Sequence, residues 1–257
     1  MRRKFGQNFL VDKNIARKIV DSAELSLNDT VIEIGPGKGI LTEVIAPRVK
    51  ELIAVEIDRK LSENLKTKYS SYPNTKIINE NFLSFALPKG AHFKIVANLP
   101  YNIATAILQK ILPSPFWDTA VVMVQKEVGE RIAAKPGGKI YGAFSIFCQY
   151  FAQIKILFKV GPKCFLPSPR VDSVVLSLSN IFPKNINSGL FRLVNLCFQQ
   201  RRKIILNSLS NGFDIRKEEI LKILQEINID PNIRPEYLDL KSFEGLTYAF
   251  KKYNILK

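Results

Sequence analysis

The feature that most limits the fold of this chain is a rhythm. Five short apolar runs alternate with amphipathic stretches: Thr30-Val31-Ile32-Glu33-Ile34, Leu52-Ile53-Ala54-Val55, Lys76-Ile77-Ile78, Phe93-Lys94-Ile95-Val96-Ala97 and Ala120-Val121-Val122-Met123-Val124. Each reads as a buried strand, and helical patterns lie between them over 39–48, 59–70 and 103–112. A strand that returns parallel to its neighbour needs a long crossover, and the crossovers cover both faces of the sheet. The rhythm then changes. Two further β-like runs, 155–160 and 171–179, flank the Pro-rich Gly161–Pro169, where no crossover helix fits. They are expected to pair antiparallel and close the sheet. After Pro183 the pattern is helical over 188–210, 216–227 and 242–252, with breaks at Asn211-Gly212 and from Asp230-Pro231 to Arg234-Pro235. The expectation is an α/β fold with a mostly parallel sheet and one antiparallel strand in residues 1–182, followed by a small α-helical domain in 183–257.

The first strand runs into Glu33-Ile34-Gly35-Pro36-Gly37-Lys38-Gly39, and a helix is expected at once. Glycines at 35, 37 and 39 let the chain turn sharply and let a ligand approach its backbone. The spacing differs from the Gly-x-Gly-x-x-Gly of a dinucleotide site, and it makes no Walker-type phosphate cradle. The second strand ends in Val55-Glu56-Ile57-Asp58. A carboxylate there can accept both hydroxyls of a ribose, at the sheet edge where open α/β sheets bind ligands. Asp58 reads as the cap of the next helix. Together these residues resemble the S-adenosylmethionine site of Rossmann-like methyltransferases. The third strand ends at Glu80-Asn81-Phe82, where Asn81 offers an amide to an adenine edge and Phe82 a stacking face. Taken alone, Asn81 is equally a turn residue.

The fourth strand delivers Asn98-Leu99-Pro100-Tyr101. These residue types suit an exocyclic adenine amine, whose lone pair is delocalised into the ring. Acceptors on its two N–H groups pull the nitrogen toward tetrahedral geometry. The Asn98 oxygen and a backbone carbonyl beside Pro100 supply such acceptors, with proline fixing the local φ. Tyr101 offers a face for the base to stack on. A methyl group activated by a sulfonium needs positioning and charge stabilisation, not a metal or a strong base.

Charge points to the partner. The 257 residues carry 38 Lys+Arg against 23 Asp+Glu, a net charge of +15, with the surplus spread along the chain. That favours a polyanion, because contacts to phosphate release condensed counterions. Arg2, Arg3 and Lys4, and the run Arg201-Arg202-Lys203 on an expected helix, are candidate phosphate contacts; each is also compatible with a solvated charged face. The three cysteines, Cys148, Cys164 and Cys197, fit no metal or disulfide spacing, and His92 is the only histidine. Cys148 and Cys197 lie in apolar runs and are expected to be buried thiols. The chain is therefore expected to be cytoplasmic, without a metal, a secretory signal or a membrane span.

Seven segments in order resemble the small-subunit rRNA adenine N6,N6-dimethyltransferase family of bacteria over essentially the whole chain. They are Phe5–Leu10, Glu33–Gly39, Glu56–Asp58, Asn98–Ile103, Val124–Glu127, Phe165–Val171 and Phe198–Lys203. The resemblance implies cofactor contacts at Gln7, Asn8, Leu10, Gly35, Glu56, Asn81 and Asn98, to which the glycine loop and strand ends add Gly37, Ile57 and Phe82. It implies a target adenine held by Asn98, Leu99, Pro100 and Tyr101, with Phe165 on its other face. The family converts two adjacent adenosines near the 3′ end of small-subunit rRNA to dimethyladenosine during ribosome assembly, so the expected partner is that RNA in a pre-ribosomal particle, met by a monomer. One departure stands out: the family usually has Asp where this chain has Asn81. Related resistance enzymes acting on large-subunit rRNA typically carry Ile at the place of Leu99, and DNA adenine methyltransferases tend to have Pro there. A non-catalytic RNA-binding assembly or transcription factor on the same scaffold is the alternative from another class.

Overall fold

A computed structural model describes residues 8–183 and 186–256. Nine strands occur among them: β1 Phe9–Leu10, β2 Thr30–Ile34, β3 Glu51–Glu56, β4 Thr75–Asn79, β5 Phe93–Asn98, β6 Trp117–Gln125, β7 Ala152–Val160, β8 Phe165–Leu166 and β9 Ser173–Asn180. Seven form one sheet in the order β4-β3-β2-β5-β6-β9-β7. β9 is the one strand that runs against its neighbours, antiparallel to both β6 and β7. The other pairs are parallel. The chain builds outward from β2 to β3 and β4, then returns to β2's other side with β5. That reversal opens a crevice at the carboxyl ends of β2 and β5, where such sheets receive ligands. The central strands bury both faces: Val31, Ile32, Leu52, Ala54, Ile95, Val96 and Val121 are fully enclosed or nearly so.

The described residues fall into two compact units. One comprises the chain up to Gly129 together with Ala152–Phe182; the other comprises Glu130–Phe151 and the chain from Pro183 onward. The sequence pattern divides the chain once, at 182/183. The structure also groups residues 130–151 with the helices, because the helix Ala143–Phe151 is aromatic on the side facing them. Phe147, Tyr150 and Phe151 each lie 5.2–5.8 Å from the ring of Phe191. The N–H of Asn187 donates to the Tyr150 hydroxyl at 3.0 Å. Cys148 and Cys197 are buried within this unit.

Two other boundaries differ from the sequence pattern. The expected helix over 188–210 is two, Ser188–Gln199 and Ile205–Phe213, with a turn between them in which the Lys203 N–H donates to the Gln200 carbonyl. The expected break at Asn211-Gly212 is absent: both residues are helical, and the chain turns at Asp214 in the left-handed region. Gly212 stays in the helix because the neighbouring helix crosses it closely; a Cβ there would lie 2.1 Å from Leu196 Cδ2.

In the sheet unit, Asn74 pins the turn before β3 to the start of β4. Its Nδ2 donates to the carbonyls of Ala46 and Val49 at 2.8 and 2.9 Å, while its own carbonyl accepts from Leu52. Replacing Asn74 by Ala strands two half-buried carbonyls. The expected loss is about 1–3 kcal/mol, read as a lower urea midpoint at unchanged slope.

Candidate active site

The crevice at the reversal is a cleft built from four strand ends. The loop after β2 forms its floor. Gly35, Gly37 and Gly39 adopt φ of 65°, 61° and 81°, which side chains disfavour. Gly37 also needs to lack a Cβ, since one would sit 3.0 Å from the Phe9 ring. Phe9 is held there by the β1–β8 ribbon, in which Phe9 pairs with Leu166 and Leu10 with Phe165. Asn8, Phe9 and Leu10 thereby line the cleft beside Gly35 and Gly37.

Glu56 ends β3 and is 1% exposed. Its Oε2 accepts from the Gly37 N–H and its Oε1 from the Asp58 N–H, both at 2.9 Å. Burial raises its pKa, with these backbone donors pulling the other way. Ile57 follows it along the rim. Asp58 accepts from the N–H groups of Lys60 and Leu61 and caps the helix Arg59–Lys68. Beyond β4, Asn81 and Phe82 line the opposite wall. The Asn81 side-chain oxygen accepts from the Leu83 N–H at 3.0 Å, so the amide's remaining free group is its NH₂ donor. Phe82 is buried and stacks on Phe85.

β5 brings in Asn98, Leu99, Pro100 and Tyr101. The Leu99 N–H donates to the Met123 carbonyl, which anchors the segment to β6. The Pro100 carbonyl accepts from the Ile103 N–H at 3.1 Å. Of the two carbonyls flanking Pro100, its own is thereby engaged with the following turn. Asn98 Oδ1 is buried without a hydrogen-bond partner, which is costly unless a ligand supplies the donor. The Tyr101 hydroxyl bonds the fully buried Ser173 Oγ, at the start of β9, at 2.6 Å. Burial raises the Tyr101 pKa, opposed by Ser173, so the phenol stays protonated.

Some residues singled out in the sequence lie elsewhere. Phe165 is 3% exposed and does not line the cleft; it packs in an apolar cluster with Leu10 and Val160, which keeps its ring out of water. Arg201 is committed within its own unit, to Glu236 at 2.8 Å and to the Gly138 carbonyl at 3.3 Å. Arg202 and Lys203 are exposed. Arg2, Arg3, Lys4 and Gln7 lie outside the described residues. Two residues bear on the cleft without an individual role in the sequence pattern. Ser173 gives no local signal, since its partner is 72 positions away. Glu33 was visible only as the acid before the glycine loop; it lines the cleft almost completely buried, and its Oε2 accepts from Thr42 Oγ1 at 2.7 Å. Among the described residues no group of three or more His, Cys, Asp or Glu could hold a metal ion, and no helix is long and apolar enough to cross a membrane.

A family model described as ribosomal RNA adenine dimethylase matches residues 1–244. A ribosomal RNA small subunit methyltransferase A from Leuconostoc mesenteroides is 42% identical, over 99% of this chain and 91% of that protein. One of the same description from Alkaliphilus metalliredigens is 40% identical, over 95% and 90%. Among solved structures, a dimethyladenosine transferase from Plasmodium falciparum superposes with a TM-score of 0.85 at 26% identity, covering 96% of this chain and 99% of that one. The 23S rRNA methyltransferase ErmE superposes with a TM-score of 0.75, also at 26% identity, covering 95% and 100%.

The Tyr101–Ser173 bond makes a direct prediction. Tyr101→Phe and Ser173→Ala each strand a buried hydroxyl and cost about 1–3 kcal/mol. The double variant loses less than the two single losses added, as read by chemical denaturation. Strict additivity would show that the hydroxyls do not bond.

Proposed function

Because the chain belongs to the ribosomal RNA adenine dimethylase family, we propose that it transfers methyl groups from S-adenosylmethionine to N6 of two adjacent adenosines near the 3′ end of small-subunit rRNA. The product is dimethyladenosine, formed on a pre-ribosomal particle in the cytoplasm by a monomer. The observation that carries the reading is the buried, orphaned oxygen of Asn98, a residue that lines the same cleft as the glycine loop and Glu56.

The residues present fit the cofactor. Gly35 and Gly37 leave the loop backbone open to close approach. Glu56 would hold the ribose: its oxygens each accept one backbone N–H, and a carboxylate has about four acceptor sites, so two remain for hydroxyls. Phe82 and Leu99 supply apolar walls for an adenine. S-adenosylmethionine supplies a methyl group already activated by its sulfonium.

The chain's own residues then act on the target amine. Asn98 Oδ1 accepts one N6–H and the Leu99 carbonyl the other, drawing the nitrogen's lone pair out of conjugation and aiming it. The same two acceptors stabilise the positive charge that develops on nitrogen as it bonds to carbon. Tyr101 presents its ring as a stacking face for a base swung out of the RNA, and Ser173 fixes that ring's orientation through the hydroxyl. No group need remove a proton before transfer; the alkylated nitrogen is acidic enough to lose one to water afterwards. The net charge of +15 suits a large RNA, and Arg202 and Lys203 are exposed for phosphate contacts.

The test is incubation with labelled S-adenosylmethionine and undermethylated small subunits. Label is expected in adjacent adenosines as dimethyladenosine. Asn98→Ala is expected to lower the rate by at least about a hundredfold, the loss typical of a preorganised charge-stabilising group. Label confined to large-subunit rRNA would move the chain toward the activity named for ErmE. Cofactor binding without transfer would make it a non-catalytic RNA binder.

A further inference from the structure

A second hollow lies beside the cleft in the same unit, and the chemistry above gives it no task. It is a groove of about 220 Å³ between the helix Lys13–Asp21 and the helical segment from Thr42 to Arg48 that follows the glycine loop. Ile40, Val44 and Pro47 give it an apolar floor. Ile40 also lines the cleft, so the two spaces share a wall. The charged lining is Lys13, Arg17, Glu43 and Arg48. Lys13 and Arg17 are four residues apart and fall on one face of their helix, which Asp21 continues. Glu43 is already engaged: it pairs with Lys13 at 3.5 Å and with Lys68 at 3.1 Å. The Lys68 ammonium holds its carboxyl below the usual range. Arg48 pairs with Asp21. Arg17 is exposed and has no ion pair among the described residues. Four cations therefore meet two carboxylates, and the surplus is positive.

We propose that this groove seats a nucleotide of the RNA strand that carries the target adenosine, with a backbone phosphate on Arg17 and Arg48 and the sugar or base against Ile40, Val44 and Pro47. The inference rests on reading the chain as an RNA methyltransferase. The lining selects the ligand. A phosphodiester is a permanent anion that matches the fork of a guanidinium, and two forks stand on the rim. An inorganic anion would leave the apolar floor bare, whereas a nucleotide covers it. The shared wall selects a strand over a free nucleotide. A base swung into the cleft leaves its chain neighbours at the mouth, one side chain away from the groove. Lys38, exposed in the glycine loop two positions before Ile40, adds a cation on the rim of the cleft, with its ammonium 5.1 Å from the centre of the Phe9 ring.

A contact of this kind positions the strand and carries no sequence information of its own. Its energy comes from counterions released when the phosphate is neutralised, so it weakens as salt rises. Arg17 is the clean probe of it. Truncating Arg48 would also leave Asp21 without its partner, but Arg17 has no protein partner to lose.

Fluorescence anisotropy of the full-length chain with a labelled single-stranded RNA carrying two adjacent adenosines, over a series of salt concentrations, tests the assignment. Arg17→Ala is expected to weaken binding about three- to tenfold near physiological salt, and to flatten the plot of log K against log salt by about 0.7, the share of one single-strand phosphate contact. Arg17→Lys is expected to restore the slope but only part of the affinity, because an ammonium keeps the charge without the fork. Lys89→Ala removes an equal charge ahead of the amino end of β5, at the sheet edge away from the cleft. It is expected to stay within about twofold of wild type. With undermethylated small subunits as substrate, the Arg17→Ala loss is expected in KM more than in kcat. An unchanged salt slope in Arg17→Ala, or a loss no greater than that of Lys89→Ala, would overturn the proposal and leave the proposed function standing. Failure of wild type to bind RNA at all would instead overturn the reading of the chain, and the proposal with it.

Discussion

The cleft hangs on one buried carboxylate. Glu56 reaches from the end of β3 to the Gly37 N–H in the loop after β2, and its second oxygen takes the Asp58 N–H that begins the following helix. Its main-chain carbonyl accepts from Glu80 and from Asn79 Nδ2, which fixes the exit of β4. Three strand ends are thereby tied at one residue. A carboxylate this buried is tolerated only when its oxygens are engaged. The loop must therefore turn its N–H groups inward, which requires the left-handed conformations at Gly35 and Gly37. Removing the acid would leave the N–H groups of Gly37 and Asp58 without partners and release the geometry that every other cleft residue presumes.

What could be read from sequence follows from how local each physical demand is. Positive φ in a turn, an acid at a strand end and a buried apolar run are properties of a few consecutive residues, so the turn at Gly35 and Gly37, the acid Glu56 at the end of β3, the place of Asn98 at the end of β5 and the alternation of strands with helices are legible. The reversal of the sheet between β2 and β5 is encoded only by the helical crossovers, yet it is where the cleft opens. The burial of Phe165 is not legible. Its neighbours Pro167 and Pro169 mark an irregular segment, but the fate of its ring depends on pairing with Phe9–Leu10, far along the chain. Arg201 likewise looks like one of three solvent-facing cations until Glu236 is placed beside it. Gly212 reads as a helix breaker because the pattern does not include Leu196 crossing above it. In each case a long-range partner outweighs the local preference.

The same contrast separates the two walls of the cleft. On the β3–β4 side the polar groups are largely engaged with the protein's own backbone: Glu56 with Gly37 and Asp58, the Asn81 oxygen with Leu83. These residues hold shape, and what they offer a ligand is residual capacity. On the β2–β5 side, Glu33 Oε1 and Asn98 Oδ1 are buried with nothing to accept from. Folding left these two acceptors desolvated, a state that costs stability and that the sheet and its two engaged strand ends must offset.

That cost makes sense only if it is recovered when ligands bind. An acceptor already stripped of water needs no further desolvation when a donor arrives, so nearly all of its hydrogen-bond energy goes into binding or into the developing charge. On the mechanism proposed above, a solvated Asn98 would have to exchange water for the adenine amine at the moment of reaction. Anchoring Leu99 to Met123 and Tyr101 to Ser173 prevents β5 from relaxing to satisfy Asn98 internally. The rigidity of the strand end and the unsatisfied oxygen are thus one device: the first keeps the second unsatisfied, which is what the proposed role of Asn98 requires.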